Sequence, residues 1–448
     1  MAIDPNLAHE ILSQARKRGA TAGDILLVDN TAFEVEVRLG DVEKVENAHR
    51  KRLGLRLFFG QRSATTSTSD FSSASLQQLL DDTCALAQAM ETDDFAGLPD
   101  AEEMVTTISD LALWDEALSQ VSLDDRTAMA QTAERAALDY DSRITNSNGS
   151  EYSSSESSIF YANSYGFTGQ YQAGSVQLSV VPVASDERGM QRDYWYSAAR
   201  QLARLETPSE IGQEAARRVL RRLGARKVST QNVPIVFAPT TAASFIGNIC
   251  SAVSGSALYR GTSFLVNQLE KRIAPDHVTI HDDGTLPGAL GSKPFDGEGL
   301  PTRRTTVVEN GILQSYLLDT YSARKLGMRS TGNAARSAGE PPSVSPTNFF
   351  LAPGSHAPED IIASVPNGLY VTGLIGFGVN LVTGDYSRGA SGMWIENGEL
   401  TYPVEEITIA GNLRQMLMDI EMMGDDLDMS RKITAPTLKI RRMTVAGN

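Results

Sequence analysis

The stretch DILLVDNTAFEVEVRLGDVEKVENAHRKRLGLRLFFG (Asp24–Gly60) carries the pattern that decides the fold. Phe33, Val35 and Val37 alternate with charged side chains, and the leucines of residues 53–57 alternate in the same way. Alternation with a period of two is typical of a strand that has one buried and one solvated face. The stretch therefore predicts strands near the amino terminus.

Outward from this stretch, apolar residues at helical spacing predict several helices. The predicted helices are Asn6–Arg18, Leu76–Met90, Leu123–Tyr140 and Ser209–Leu223. The serine-rich stretch 146–158 is typical of a turn or hairpin tip, and residues 159–182 are again strand-like.

Turn signals recur through the second half of the chain, with Gly following Asp283, Asn310, Asn367 and Asn397. Such dipeptides favour hairpins and antiparallel strands over βαβ units. The predicted fold class is therefore α+β: an N-terminal α/β region of antiparallel strands and helices, then a β-rich domain with a large antiparallel sheet and a few helices. The predicted divisions are 1–110, 111–228 and 229–448.

The composition of the chain disfavours some classes of binding partner. The chain has 448 residues and a formal net charge of -15, which disfavours nucleic acid or an anionic membrane as the main partner. No apolar run reaches the roughly 18 residues that a membrane span needs. The first residues also lack the basic and apolar segments of a signal peptide. A cytoplasmic location is predicted.

Histidines offer two candidate metal sites. His9 and Glu10 begin like a zinc-binding HExxH helix, but the fourth residue after His9 is Ser13, so that motif fails. In HVTIH, a strand would direct His277 and His281 to one side, next to the adjoining pair Asp282 and Asp283. These four residues are a candidate metal group, although a solvated strand end is the favoured interpretation.

Two further features allow a binding role. In VNLVTGDYSRGASGMWIENGEL (379–400), Asp385 and Arg388 flank Tyr386 and can pair to fix a tight loop or present a binding surface. Arginines 217, 218, 221, 222 and 226, with Lys227, crowd one predicted helix and its exit. They form either an anion-binding patch or, as we favour at this negative net charge, a solvated helix face.

A long uncharged helix is predicted over AASFIGNICSAVSGSALYRGTSF (Ala242–Phe264), in which the first charge is Arg260. Small residues at helical spacing allow close packing, and the larger Phe245, Ile249 and Val253 form an adjacent apolar stripe. Such a helix belongs in a domain core or at a large interface, and the core is favoured.

Four stretches together resemble the TldD/PmbA family: GSKPFDGEGLPTRRTTVVENGILQSYLLDTYSARKLG (291–327), STGNAARS (330–337), SPTNFFLAPG (345–354) and GFGVNLVTGDYSRGASGMWIENGE (376–399). The resemblance covers most of residues 230–448. It implies a cytoplasmic protein of a family whose TldD and TldE (PmbA) types form a heteromeric metallopeptidase for unfolded or peptide substrates. An older label calls the family a modulator of DNA gyrase.

The TldD type carries HExxxH on a helix, where two histidines bind zinc, a Glu activates water, and a later Cys is a further ligand. Counting back from Gly261 and Thr262 puts these positions on Ile246, Gly247 and Ser251, and no Cys follows Cys250. The resemblance therefore implies a TldE/PmbA type without catalytic or metal-binding residues, with zinc in a TldD-type partner.

For this type the resemblance implies an unfolded peptide as substrate and a TldD-type paralogue as partner. The loop at Asp385, Tyr386 and Arg388 is a candidate contact for the substrate or the partner. A homodimer is the alternative assembly when that partner is absent. Two alternative functions remain: a stand-alone peptidase that uses the group at His277, His281, Asp282 and Asp283, and a regulatory binding protein without proteolytic activity.

Overall fold

The computed structural model describes residues 5–447. Seven strands from the first 199 residues form one antiparallel sheet in the order β3-β2-β1-β4-β5-β6, with β7 also paired to β5. These strands are β1 (Ala22–Arg38), β2 (Asp41–Phe59), β3 (Arg62–Thr68), β4 (Ile144–Asn163), β5 (Thr168–Asp186), β6 (Gly189–Arg192) and β7 (Trp195–Ala199). The sheet includes strands from both sides of the division predicted at residue 110.

Helices cover this sheet in two groups. They are α1 (Pro5–Lys17), α2 (Ser73–Ala89), α3 (Ala117–Gln120), α4 (Leu123–Leu138) and α5 (Pro208–Leu220). Buried residues of α1 and α2 pack with leucines of β1 and β2, and those of α4 and α5 pack with Val35, Val37 and Tyr152. The four predicted helices are confirmed to within a few residues.

The helix ends follow from local chemistry. The Ser122 hydroxyl accepts a hydrogen bond from the Asp125 N–H at the start of α4. Thr207 and Glu210 form a reciprocal capping box at the start of α5. Because these bonds satisfy N–H groups that the helix itself leaves unpaired, both starts are fixed by residues adjacent in the sequence.

The serine-rich stretch 146–158 is not a turn. It lies within β4, which pairs with β1 on one side and β5 on the other. Serine favours turns through local hydrogen bonds, but here two flanking strands satisfy the backbone and override that preference. The prediction of a hairpin tip was wrong because serines occupy both faces and remove the period-two signal.

The C-terminal half contains a six-stranded sheet in the order β17-β16-β15-β8-β20-β18, and a β17–β20 pairing closes it into a barrel. A second sheet has the order β11-β10-β9-β14-β19, and β12 pairs with β13. The strands are β8 (Gln231–Phe237), β9 (Ile280–Asp283), β10 (Arg304–Glu309), β11 (Ile312–Leu313), β12 (Ala334–Ala335), β13 (Ser343–Val344), β14 (Phe349–Leu351), β15 (Asn367–Ile375), β16 (Asp385–Glu396), β17 (Glu399–Asn412), β18 (Ile420–Met423), β19 (Ile433–Thr434) and β20 (Leu438–Ala446).

These elements confirm the α+β class and the β-rich second half with few helices. The large sheet is antiparallel, as predicted, except that β15 pairs with β8 in parallel. The chain between these two strands makes a long crossover that includes most of the C-terminal helices, as a parallel pair requires. The helices are α6 (Pro239–Ala252), α7 (Gly255–Tyr259), α8 (Thr320–Leu326), α9 (Pro358–Ala363) and α10 (Leu413–Met418).

The long uncharged helix is divided into α6 and α7. The chain leaves the helical path at Val253 and Ser254, where Ser254 forms a bridge with Leu317. The side chains of Phe245, Ile246 and Ile249 are fully buried in the C-terminal core. The prediction that this segment packs in a domain core is confirmed for its large residues. The prediction of one continuous helix was wrong.

A buried charge network joins the two halves. The carboxylate of Asp24, on β1, accepts hydrogen bonds from Arg56 at 2.5 Å and from Arg336 at 2.6 Å. Arg336 belongs to the C-terminal half, and both Asp24 and the Arg336 side chain are fully buried. Glu298 lies 3.5 Å from Arg56 and also accepts a bond from the Thr320 N–H at 2.9 Å. Paired charges of this kind are costly to separate.

Glu298 predicts a pH-dependent stability. Burial raises the pKa of Glu298 from 4.5 to about 7, although Arg56 opposes the shift. Because the folded-state pKa lies above the unfolded value, the contribution of Glu298 to stability is complete below the unfolded value and is lost as the pH rises through about 7. Between these two pKa values, the wild-type protein should lose on the order of 1.4 kcal/mol of unfolding free energy per pH unit relative to Glu298→Gln.

Urea unfolding of both proteins from about pH 5 to about pH 8 measures this difference. Glu309→Gln, at an exposed position beside a hairpin turn, is the matched control and should follow the wild type throughout. Parallel curves for wild type and Glu298→Gln would contradict the prediction.

Candidate functional site

One side of α6 is exposed, and its first turns line a cavity shared with the N-terminal half. Thr240, Ser244, Gly247 and Ser251 follow one another at helical spacing on this side, and each is partly or fully exposed. Ser251 donates a hydrogen bond to the Gly247 carbonyl at 3.0 Å. Since the large residues of α6 face the core, this side consists of small and hydroxyl-bearing groups.

The three positions that the resemblance assigns to HExxxH do not fit a zinc ion. Ile246 is fully buried in the core, and a side chain beginning at Gly247 would approach Ile433. Neither these two residues nor Ser251 offers an imidazole or carboxylate. Burial raises the pKa of the neighbouring Cys250 thiol, which disfavours the thiolate that a metal would need. In residues 5–447, no group of three or more His, Cys, Asp or Glu residues could hold a metal ion.

The structure does not bring the other candidate metal group together. His277 is exposed in a turn, because β9 begins only at Ile280, so the strand predicted at His277 was wrong. The Asp282 carboxylate accepts bonds from Asn333 at 2.7 Å and Thr347 at 2.8 Å.

The two remaining residues of that group are also engaged elsewhere. Asp283 accepts a bond from the Thr285 hydroxyl at 2.6 Å. The His281 ring lies 3.3 Å from the Thr306 hydroxyl, and burial lowers the pKa of His281. Both aspartates therefore hold loops of the C-terminal half in place.

Asp385 and Arg388 do not pair, contrary to one of the two predicted roles. Both lie on β16, where positions three apart face opposite sides. Asp385 is exposed and accepts a bond from Thr383 at 2.6 Å. Arg388 instead donates to the Ser244 hydroxyl at 2.8 Å and so connects β16 with α6.

Tyr386 is buried next to this connection. Its side chain is 1% exposed, and burial raises the pKa of Tyr386 to about 12 while Arg388 opposes the shift. The Tyr386 hydroxyl is therefore neutral near pH 7. It supports the wall beneath Arg388 and is not an open binding group.

Between the two halves lies a cavity of about 950 Å³, here called the arginine cavity. Five arginines line it, together with a single acidic residue, Asp193. The arginines are Arg192, Arg218, Arg222, Arg388 and Arg431. Such a concentration of positive charge contrasts with the strongly negative chain as a whole.

The arginine cavity was not predicted from the sequence, because its arginines come from distant segments. The only local signal was the basic cluster after residue 216, for which a solvated face was favoured. That interpretation was wrong for Arg218, which is 9% exposed. Arg217 and Arg221 are exposed, so the cluster has both a solvated and a buried side.

Comparisons with known proteins agree with this architecture. Three family models match in order: PmbA/TldA metallopeptidase domain 1 over residues 23–87, the central domain over 116–223 and the C-terminal domain over 230–447. A metalloprotease PmbA homolog of Haemophilus influenzae is 37% identical over 435 residues, covering 97% of this chain and 94% of that protein. A metalloprotease TldD homolog of Buchnera aphidicola is 30% identical over 252 residues, covering 52% of each chain.

Two crystal structures share the fold along the whole chain. One, from Bacteroides thetaiotaomicron and described as a modulator of DNA gyrase, has a TM-score of 0.92 at 30% identity and covers 100% of both chains. TldE from Thermococcus kodakarensis has a TM-score of 0.87 at 20% identity, covering 98% of this chain and 99% of its own.

The fold, the order of the three matched regions and the full-length relatives define a class of metallopeptidase-related proteins. The chain belongs to the PmbA/TldD metallopeptidase family. No helix in residues 5–447 is long and apolar enough to cross a membrane.

Proposed function

We propose that this chain is the non-catalytic, TldE/PmbA-type subunit of a cytoplasmic metallopeptidase for unfolded proteins and peptides. The proposal rests on α6, where the resemblance aligns Ile246, Gly247 and Ser251 with the three positions of the zinc motif and none of them can bind zinc. A TldD-type paralogue supplies the zinc ligands and the general base. This chain completes the substrate chamber.

An exposed apolar surface supports a subunit role. The end of β15 and the β15–β16 connection present Ile375, Phe377 and Val382, with Phe377 99% exposed. A fully solvated phenylalanine leaves a large apolar area in water, and burial in an interface stabilises it by about 2 kcal/mol. This surface, at residues 375–382, is our proposed contact with the TldD-type subunit.

Mixing tests the proposal. When this chain is mixed with an equimolar amount of the TldD-type paralogue from the same organism, the two should form a heteromer. The heteromer should cleave an unfolded peptide, which neither chain does alone. Size-exclusion chromatography with light scattering measures the assembly, and release of a fluorescent peptide measures activity. Cleavage with stoichiometric zinc by this chain alone would contradict the proposal, as would an inactive heteromer.

Phe377→Ser tests the proposed contact surface in the same assembly measurement. It should weaken the heteromer by about tenfold or more, since loss of the buried ring is worth more than about 1.4 kcal/mol. Leu86→Ser, at a 49% exposed position on α2, should leave assembly unchanged. If both variants assemble like the wild type, residues 375–382 are not the contact.

A further inference from the structure

The arginine cavity is a positively charged site to which the proposed function gives no role. Its walls come from β4–β6, α5, α6, β15 and β16, so it exists only where the two halves meet. Its volume of about 950 Å³ is within the range of sites for ligands as large as a short peptide.

The guanidinium groups in this cavity have unused hydrogen-bonding capacity. The buried Nε atoms of Arg218, Arg222 and Arg388 have no hydrogen-bond partner. Arg218 lies 3.6 Å from Asp193, and Arg222 lies 3.8 Å from Glu405, both beyond hydrogen-bond distance. A buried donor without a partner is unfavourable, so these groups favour an anionic acceptor.

Three of the five arginines have no acidic partner. Across residues 5–447, no carboxylate lies within ion-pair distance of Arg192, Arg388 or Arg431, whereas Arg218 and Arg222 have one each. The Arg388 guanidinium is positioned by the neutral Ser244 hydroxyl. The Arg431 guanidinium lies 4.4 Å from the centre of the Tyr196 ring. Both side chains are thus held in position while their charge remains uncompensated.

The amino-terminal end of α6 adds to the same field. Thr240 and Ser244, from the first turns of this 14-residue helix, line the cavity. Helix starts carry partial positive charge and unpaired N–H groups. Arg218, which is 9% exposed, lines the same cavity, so the cavity is suited to a carboxylate.

The rest of the lining fits a peptide better than a nucleotide. Asn146 and Asn148 offer amides that match peptide groups, and Leu374 and Ile375 offer apolar contact. The Gln191 amide already donates to Glu405 at 2.8 Å. Tyr194 is the one aromatic residue in the lining, which leaves little surface on which a base could stack.

We infer that the arginine cavity binds a carboxylate of the peptide substrate, either its terminal carboxylate or an acidic side chain. The choice of a peptide as ligand rests on the proposed function. Bidentate arginine–carboxylate bonds would fix the anionic end of the peptide against α6, with the remaining residues along β15 and the amide-bearing wall.

Fluorescence polarisation with the isolated full chain tests this inference. The probes are fluorescein-labelled hexa-alanine with a free carboxylate, the same peptide amidated, and an amidated version that carries one Glu. The free acid or the Glu peptide should bind about tenfold or more tightly than the plain amide. Whichever of the two binds tightly identifies the source of the carboxylate.

Variants locate the binding. Arg388→Gln and Arg431→Gln should each lose about tenfold in affinity for the carboxylate peptide. Arg221→Gln, an exposed arginine next to Arg222 but outside the cavity, should behave like the wild type. Circular dichroism and thermal unfolding establish that each variant is folded.

Three results would overturn the inference: equal affinity for all three peptides, no binding of any peptide, or tighter binding of inorganic phosphate than of any peptide. The measurement needs no partner subunit, so its failure is distinguishable from failure of the proposed complex. An active heteromer with no peptide binding by this chain would leave the proposed function intact and remove only the cavity assignment.

Discussion

Replacing Asp24 by Asn should lower the free energy of unfolding by about 3–5 kcal/mol, the usual cost of removing one partner from a buried ion pair. Burial alone would raise the pKa of Asp24, but Arg336 and Arg56 more than compensate and hold the pKa of that carboxyl below its ordinary value. Asparagine keeps the shape and removes the charge. Two buried guanidinium groups then lose their shared counterion.

Much of the stability of this buried network depends on the single carboxylate of Asp24. The Tyr161 hydroxyl also donates to Asp24, at 3.1 Å, and the Arg336 side chain is fully buried. Arg336 has no ion pair other than the one with Asp24 among the salt bridges of residues 5–447. Loss of this carboxylate therefore weakens the N-terminal sheet and its joint with the C-terminal half together.

Urea unfolding followed by circular dichroism measures the effect. Asp81→Asn is the matched control, because Asp81 pairs with Arg18 at 3.0 Å but is 52% exposed. Surface ion pairs contribute about 0–1 kcal/mol. Similar losses for the two variants would show that the joint does not depend on Asp24.

Replacing Ile246 by His should lower the free energy of unfolding by about 3 kcal/mol or more. The isoleucine is fully buried, so the variant loses its apolar burial and places a polar ring among hydrocarbon side chains. Ser251→His, at an exposed position on the same helix, should change stability by less than about 1 kcal/mol.

The triple variant Ile246→His, Gly247→Glu, Ser251→His tests whether α6 can regain a metal site. An imidazole at position 246 would lie in the apolar core, because the Ile246 side chain is fully buried there. No Cys follows Cys250 to supply a further ligand. We expect no stoichiometric zinc by elemental analysis, and a folded variant with one zinc per chain would contradict that expectation.

The regular elements were predictable where local chemistry is sufficient. The alternation at Val35 and Val37 predicted the buried face of β1, and apolar residues at helical spacing predicted α4 and α5. The serine-rich part of β4 could not be predicted, because its strand conformation is imposed by β1 and β5. The break at Ser254 likewise depends on Leu317, far away in sequence.

The candidate site was predictable only in part. The sequence pattern identified Arg388 as a candidate site residue and suggested Asp385 as its partner. A sequence pattern can suggest only partners that are close in the sequence. In the structure the alternation of β16 separates the two and brings Arg388 to Ser244 on α6. His277 was placed on a strand by its β-branched neighbours, although the chain there forms a turn before β9.

What the sequence by itself determined is chemical identity and local order. It established that Ile246, Gly247 and Ser251 carry no metal ligand, and that strands and helices alternate in an α+β pattern. The arginine cavity was decided only by the tertiary structure. Arg192, Arg218, Arg388 and Arg431 line one cavity because β6 and the chain after α5 contact β17 of the barrel, and this long-range packing has no signature in any short stretch of sequence.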